Sequence, residues 1–305
     1  MIDILIREIE AKMNPSVVGL DPTLELIPKS LLEENLQIYQ DPLEGVGESF
    51  WKFNCEIIDA IHSVVPAVKL QIAMYEKFGI EGLKAYIKTI KYAKEKGLVC
   101  IGDIKRGDIS STAAAYAGHL GDVNVGDHII DPWNEDWITV NPYFGTDGIM
   151  PFVEKCKVTK KGIFVLVKTS NPSGKEIQDL QVGDNKVYEI VADYVCQWGG
   201  EVVGESGYSR VAAVVGATHK EEGESLRKRM PGVFFLVPGY GAQGGTAEFV
   251  KDFFDGDKRG VIVNSSRGVI GAYKENHRFR WDQFGEAALE AAVAMRNDLR
   301  EAIYE

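Results

Sequence analysis

Eight times along this chain a short apolar run gives way to polar, charged or glycine residues, and most of these runs lead into a helical pattern. The runs occupy 16–21, 66–71, 98–105, 137–143, 162–170, 211–218, 234–241 and 260–267. The helical patterns fall near 48–62, 75–96, 111–119, 147–157, 187–198, 220–230, 245–254 and 282–303, and Ile2, Ile6 and Ile9 add a short amphipathic helix at the start. Strands that are continuously apolar, rather than alternating, belong to parallel sheets buried on both faces. Eight such strand–helix units in 305 residues predict an α/β chain closed into a (β/α)8 barrel. The competing open, doubly wound sheet is weakened because no Gly-x-Gly-x-x-Gly follows the first run. No linker or composition shift divides the chain, which predicts a single domain over 1–305. The connections 22–47, 119–136 and 171–186 are rich in Pro, Gly and Asp and read as excursions at the rim of the strand C-termini.

Composition narrows the function classes. The formal net charge is -11 and no basic run appears, which argues against a nucleic-acid partner and requires that any anionic substrate find a locally positive pocket. Cys55, Cys100, Cys156 and Cys196 are scattered, with no Cys-x-x-Cys spacing and no histidines at zinc-ligand intervals, so they read as reduced, inert thiols. The N-terminus carries Asp3, Arg7, Glu8 and Glu10, unlike a signal peptide, and no apolar run approaches the roughly twenty residues a bilayer requires. The expectation is a cytoplasmic protein with no membrane partner, no metal and no cofactor.

A barrel carries its chemistry where its strands end. Asp21 ends the first run, Lys69 the second, Asp103 and Lys105 the third, Asn141 the fourth, and Lys168, Thr169 and Ser170 the fifth. Several of these have a second reading. Asp21 before Pro22 can simply start a turn, Lys69 either faces the barrel interior or snorkels outward, and Asn141-Pro142 is more often turn chemistry than catalysis. Lys168 opposes Thr169 in parity, which leaves open that it faces the helix layer.

The densest stretch is Gly102-Asp103-Ile104-Lys105-Arg106-Gly107-Asp108-Ile109-Ser110-Ser111-Thr112. Strand alternation places Asp103 and Lys105 on one side and Ile104 on the other. Neighbouring carboxylates favour the ammonium form of Lys105, which argues against an amine nucleophile. The cation suits stabilisation of negative charge on a substrate carbon, followed by proton donation to it. Asp108, beyond Gly107, can approach the same lysine or reach toward a neighbouring subunit; a surface salt-bridge cluster is the plain alternative. After the seventh run, the segment 237–245 places glycines before a helix and predicts backbone N–H groups turned toward an anion. After the eighth, Arg267 offers a guanidinium that matches phosphate oxygens, and barrels commonly bind phosphate with these two loops.

Taken together, these motifs resemble the orotidine 5′-phosphate decarboxylase family over nearly the whole chain. The family's Asp-x-Lys-x-x-Asp-Ile-x-x-Thr signature is matched by Asp103, Lys105, Asp108, Ile109 and Thr112, its phosphate loop by the segment 238–245 with Gln243 and Gly244, and its phosphate-binding arginine by Arg267. The extended connections, the Lys-Arg-Gly-Asp form and Thr-Ser-Asn-Pro-Ser after the fifth run are similar to the longer bacterial branch. The resemblance implies cofactor-free decarboxylation of orotidine 5′-phosphate to UMP, the last step of de novo pyrimidine biosynthesis, with Lys105 between Asp103 and Asp108 stabilising and protonating the C6 carbanion. It further implies that Asp21 and Lys69 hold the ribose, that Ser170 contacts the pyrimidine amide, and that Asp108 and Thr112 reach into a partner's pocket across a two-fold homodimer interface. Two alternatives share the barrel: a metal-dependent keto-sugar-phosphate decarboxylase, and a non-catalytic phosphoribosyl-binding barrel.

Overall fold

The computed structural model describes residues 1–218, 220–241 and 244–304. Eight strands form a closed parallel barrel: β1 (Ser16–Gly19), β2 (Ala67–Gln71), β3 (Val99–Arg106), β4 (Trp137–Val140), β5 (Gly162–Lys168), β6 (Val211–Val215), β7 (Phe235–Val237) and β8 (Val261–Ser265). Each strand pairs with its neighbours in sequence, and β8 returns to β1 with Ser16 opposite Val263 and Val18 opposite Ser265. The expected closure is therefore realised, and the open sheet is not.

Two apolar layers follow from strand parity. Val17, Ala67, Val99, Ile101, Trp137, Phe164, Ala212, Val214, Phe234, Leu236 and Ile262 point into the barrel, and Ile2, Leu5 and Ile6 of the helix Ile2–Lys12 pack into the same cluster. Residues of opposite parity, among them Val18, Val68, Cys100, Ile138 and Val165, pack outward against the helices. Removing this much apolar surface from water is the main term holding such a fold together.

Local chemistry explains where element ends depart from the sequence pattern. The helix Pro42–Ile61 starts earlier than expected because Asp41 caps it, accepting the Leu43 N–H at 2.8 Å, with Pro42 in the first turn. The pattern near 75–96 divides into Ile72–Glu76 and Gly79–Glu95. The strand β4 stops before Asn141, whose side chain accepts the Tyr143 N–H at 3.0 Å and begins a 3-10 turn, so Asn141 serves as turn chemistry. The pattern near 245–254 yields only the short helix Ala247–Val250 and a 3-10 turn.

The rim excursions carry structure of their own. The first holds the helix Lys29–Ile38, the second a hairpin of Val123–Val125 with His128–Ile130, and the third the turn of helix Lys175–Gln178 and a ribbon of Gln181–Val182 with Asn185–Lys186. The second is tied to the barrel by Glu135, fully buried, which accepts from the Tyr86 hydroxyl and meets His119 Nδ1 at 2.8 Å. Gly102 leaves room for that carboxylate, since a Cβ there would lie 2.0 Å from Glu135 Oε1. Among the described residues, no helix is long and apolar enough to cross a membrane.

Candidate active site

Above the apolar plug, the C-terminal ends of the strands enclose a cavity of about 430 Å³ lined by Asp21, Lys69, Gln71, Asp103, Lys105, Thr139 and Ser170, among others. Side chains one step further along the inward-facing parity, Lys69 and Gln71 after Ala67 and Asp103 after Ile101, are the ones that reach it. A second cavity of about 320 Å³ adjoins the first, sharing Asp21, Gly239, Asn264 and Ser266 and adding Arg267. The two have different chemistry. The first holds a row of alternating charge, and the second ends in an exposed guanidinium.

The row runs Asp21, Lys69, Asp103, Lys105. Lys69 Nζ lies 3.5 Å from Asp21 Oδ1 and 3.1 Å from Asp103 Oδ2, and Lys105 Nζ lies 2.5 Å from Asp103 Oδ1. Lys69 is only 4% exposed, so it faces the interior rather than snorkelling. Burial alone would favour its neutral form, but Asp21 and Asp103 outweigh that and raise its pKa. Burial likewise pushes Asp103 upward, and the charges of Lys69 and Lys105 with hydrogen bonds from Lys105 and Thr139 overcome it, holding the carboxyl well below the usual carboxylate range.

Asp103 is saturated. Oδ2 accepts from Lys69 Nζ and from Gln71 Nε2 at 3.0 Å, and Oδ1 accepts from Lys105 Nζ and from the Thr139 hydroxyl at 2.8 Å. Four donors fill the lone-pair sites an ionised carboxylate offers. Asp21 is held in a similar way, accepting from the Gln71 backbone N–H at 3.0 Å and from the Ser266 hydroxyl at 2.6 Å rather than starting a turn of its own. Neither Gln71 nor Thr139 stands out in the sequence, because each is a single polar residue inside or at the end of an apolar run. Their parity with Lys69 and Trp137 is the signal that places them inside.

The other sequence candidates divide. Ser170 lines the main cavity. Lys168 does not: β5 slips register between Leu166 and Lys168 against β6, and the lysine turns into the helix layer, paired with Asp179 and 4.7 Å from the Tyr188 ring centroid. Asp108 is half-buried, accepts its neighbour's N–H (Ile109) at 2.7 Å, and makes no ion pair among the described residues. It does not cap the helix Ser110–Tyr116, whose first flanking residue is Ile109. Thr112 is exposed on that helix.

The described part of the glycine loop uses three of its amides internally. Gly239, Gly241 and Gly244 have φ of 97°, 72° and 90°, a backbone that favours glycine. The loop folds on itself: Gly241 N–H donates to Gly245 O, Gly244 N–H to Gly241 O, and Gly245 N–H to Gly239 O. Those amides are spent inside the loop rather than turned toward an anion, and the helix that follows has only four residues. Gln243 lies outside the described residues. The charged donor of the second cavity is therefore Arg267.

Comparison with known proteins gives a consistent picture. A family model described as "Orotidine 5'-phosphate decarboxylase / HUMPS family" matches residues 17–280. The orotidine 5′-phosphate decarboxylase of Caldicellulosiruptor saccharolyticus is 41% identical over 302 residues, covering 99% of this chain and 98% of that protein. That of Petrotoga mobilis is 44% identical over 302 residues, covering 98% of each. Among solved structures, the OMP decarboxylase of Leishmania donovani superposes with a TM-score of 0.74 at 28% identity, covering 100% of this chain and 99% of that one.

Proposed function

The chain belongs to the orotidine 5′-phosphate decarboxylase family, and from that premise we propose that it acts as one barrel domain converting orotidine 5′-phosphate to UMP and CO₂ in the cytoplasm. The observation that carries this reading is the alternating row Asp21, Lys69, Asp103, Lys105 at the strand ends, beside a cavity ending in Arg267.

In this reading the substrate phosphate pairs with Arg267, the ribose lies against Asp21 and Lys69, and the pyrimidine amide meets Ser170. The C6 carboxylate then points at Asp103 and Lys105. When the C6–carboxylate bond breaks, its electron pair stays on C6 in the plane of the ring, where no conjugated sink is available. The Lys105 ammonium stabilises that pair and then donates a proton to C6, giving UMP, and the lysine regains its proton from water. Asp103, held anionic, opposes the substrate carboxylate, and this repulsion is relieved as neutral CO₂ departs. Binding energy from the remote phosphate orients the ring without taking part in bond breaking.

The partner is a second copy of the chain. Asp108 makes no ion pair within its own chain among the described residues, and beside it Ile109 is 51% exposed and the 47%-exposed Phe144 lies against Gly107 and Gly148. An apolar face surrounding an unpaired carboxylate suits a two-fold interface in which Asp108 and Thr112 complete the neighbour's site.

The test is to mix the protein with orotidine 5′-phosphate in EDTA and follow the ultraviolet absorbance of the pyrimidine. Conversion to UMP is expected. Absence of UMP in any buffer would overturn the reading, and conversion that is lost with EDTA would overturn its cofactor-free chemistry.

A further inference from the structure

The ladder between β3 and β4 breaks at the residues that matter most. Ile101 stands opposite Trp137 and Gly102 opposite Ile138, but the next pair is Arg106 with Val140. Asp103, Ile104 and Lys105 thus face a single residue, Thr139. Within that break Lys105 has φ of 46°, the left-handed region that a non-glycine residue enters only when its surroundings hold it there. A bulge of this kind re-aims a side chain.

Thr139 supplies what the broken ladder lacks. Its Oγ1 accepts the Lys105 backbone N–H at 2.9 Å, and its hydroxyl proton goes to Asp103 Oδ1 at 2.8 Å. The side chain is 1% exposed, so neither bond has water as a ready substitute. One hydroxyl therefore fixes the backbone of the lysine and the carboxylate that orients its ammonium.

We infer that Thr139 is the positioning residue for the Lys105–Asp103 pair: its hydroxyl bridges the break between β3 and β4 and keeps Lys105 in the left-handed backbone that aims its ammonium over the cavity. This rests on the reading that Lys105 and Asp103 act on the substrate. Thr139 does not itself give a proton to the substrate, because its one O–H proton is committed to Asp103 Oδ1.

The experiment compares Thr139→Val, which keeps the shape and removes the hydroxyl, with Thr139→Ser, which keeps the hydroxyl. Steady-state kinetics with orotidine 5′-phosphate and a crystal structure of each variant are the readouts. Thr139→Val should lower kcat roughly 10- to 100-fold, the range for losing a hydrogen bond to a charged group. KM should stay within about threefold, and Thr139→Ser should keep kcat within about threefold of the parent, since only the orientation of the pair is altered. In the Thr139→Val crystal, Lys105 should leave the left-handed region. A Thr139→Val enzyme with at least about half the parent kcat, or a serine variant as impaired as the valine one, would overturn the inference. Should Thr139→Val not fold, Thr139→Cys, a weaker donor and acceptor of similar size, should fall between serine and loss of activity; full activity there would count against Thr139. If the parent itself does not turn over orotidine 5′-phosphate, the decarboxylase reading fails, and the Lys105 backbone in the valine crystal decides this inference alone.

Discussion

Replacing Asp103 by Asn removes one charge and almost no volume, so its effect reads the electrostatics of the row directly. Lys69 Nζ sits 3.1 Å from Asp103 and, being nearly inaccessible, has no water to replace that carboxylate. At an effective dielectric of 20 the Lys69–Asp103 attraction is about 5 kcal/mol, and breaking a buried pair typically costs about 3–5 kcal/mol net. Asp21 stays as a second partner at 3.5 Å, which puts Asp103→Asn at the low end, about 3 kcal/mol less stable than the parent near neutral pH. The pH dependence has a definite sign. The folded-state pKa of Asp103 is depressed, so the parent's advantage is fully present above the ordinary carboxylate pKa and is lost as pH falls toward the folded value. Urea unfolding at fixed protomer concentration should therefore show a constant gap between parent and variant from pH 8 to about 5, narrowing only below about pH 4. A gap under about 1 kcal/mol, or one that closes between pH 7 and 5, would refute the view that two lysines hold Asp103 as an anion.

Arg267→Ala should raise KM strongly with a smaller change in kcat, and it should leave the slow reaction of a substrate lacking the phosphate unaltered; equal losses on both substrates would make Arg267 structural. Mixing inactive Lys105→Ala and inactive Asp108→Ala chains should restore activity in up to about half of the heterodimer sites, because one site then carries both lesions and the other neither. A mixture that stays inactive would place Asp108 in its own chain's site. Burial raises the Cys156 thiol to about 12 and pushes Cys100 above the ordinary thiol range, so iodoacetamide at pH 8 should leave both unmodified until urea is added. Alkylation of either in the folded protein, read by mass spectrometry, would contradict that packing.

The barrel was legible because its signal is collective: eight continuous apolar runs with helical spacers allow few closures, and small errors at element ends leave the count intact. The charged row was legible for a related reason, since Asp21, Lys69 and Asp103 stand at run ends where parity assigns them inward. Lys105 reached the expected side by a different route, through the break in the β3 ladder rather than plain alternation. Lys168 takes the helix-layer side that its parity against Thr169 left open, and the register slip in β5 is what separates it from Leu166, two residues earlier. Gln71 and Thr139 were missed because one amide and one hydroxyl look like tolerated polar residues until the opposing strand supplies their partner. In the glycine loop the amides of Gly241, Gly244 and Gly245 bond within the loop itself, which composition alone does not show.

The most direct test of the central claim is a paired measurement on Lys105→Ala, giving turnover of orotidine 5′-phosphate and affinity for UMP. Lys105 acts on charge that exists mainly in the transition state, so kcat should collapse while UMP binding weakens far less. Losing both a cation and a proton donor should remove several kcal/mol of transition-state stabilisation, so a variant keeping more than about 1% of the parent kcat would contradict the assignment.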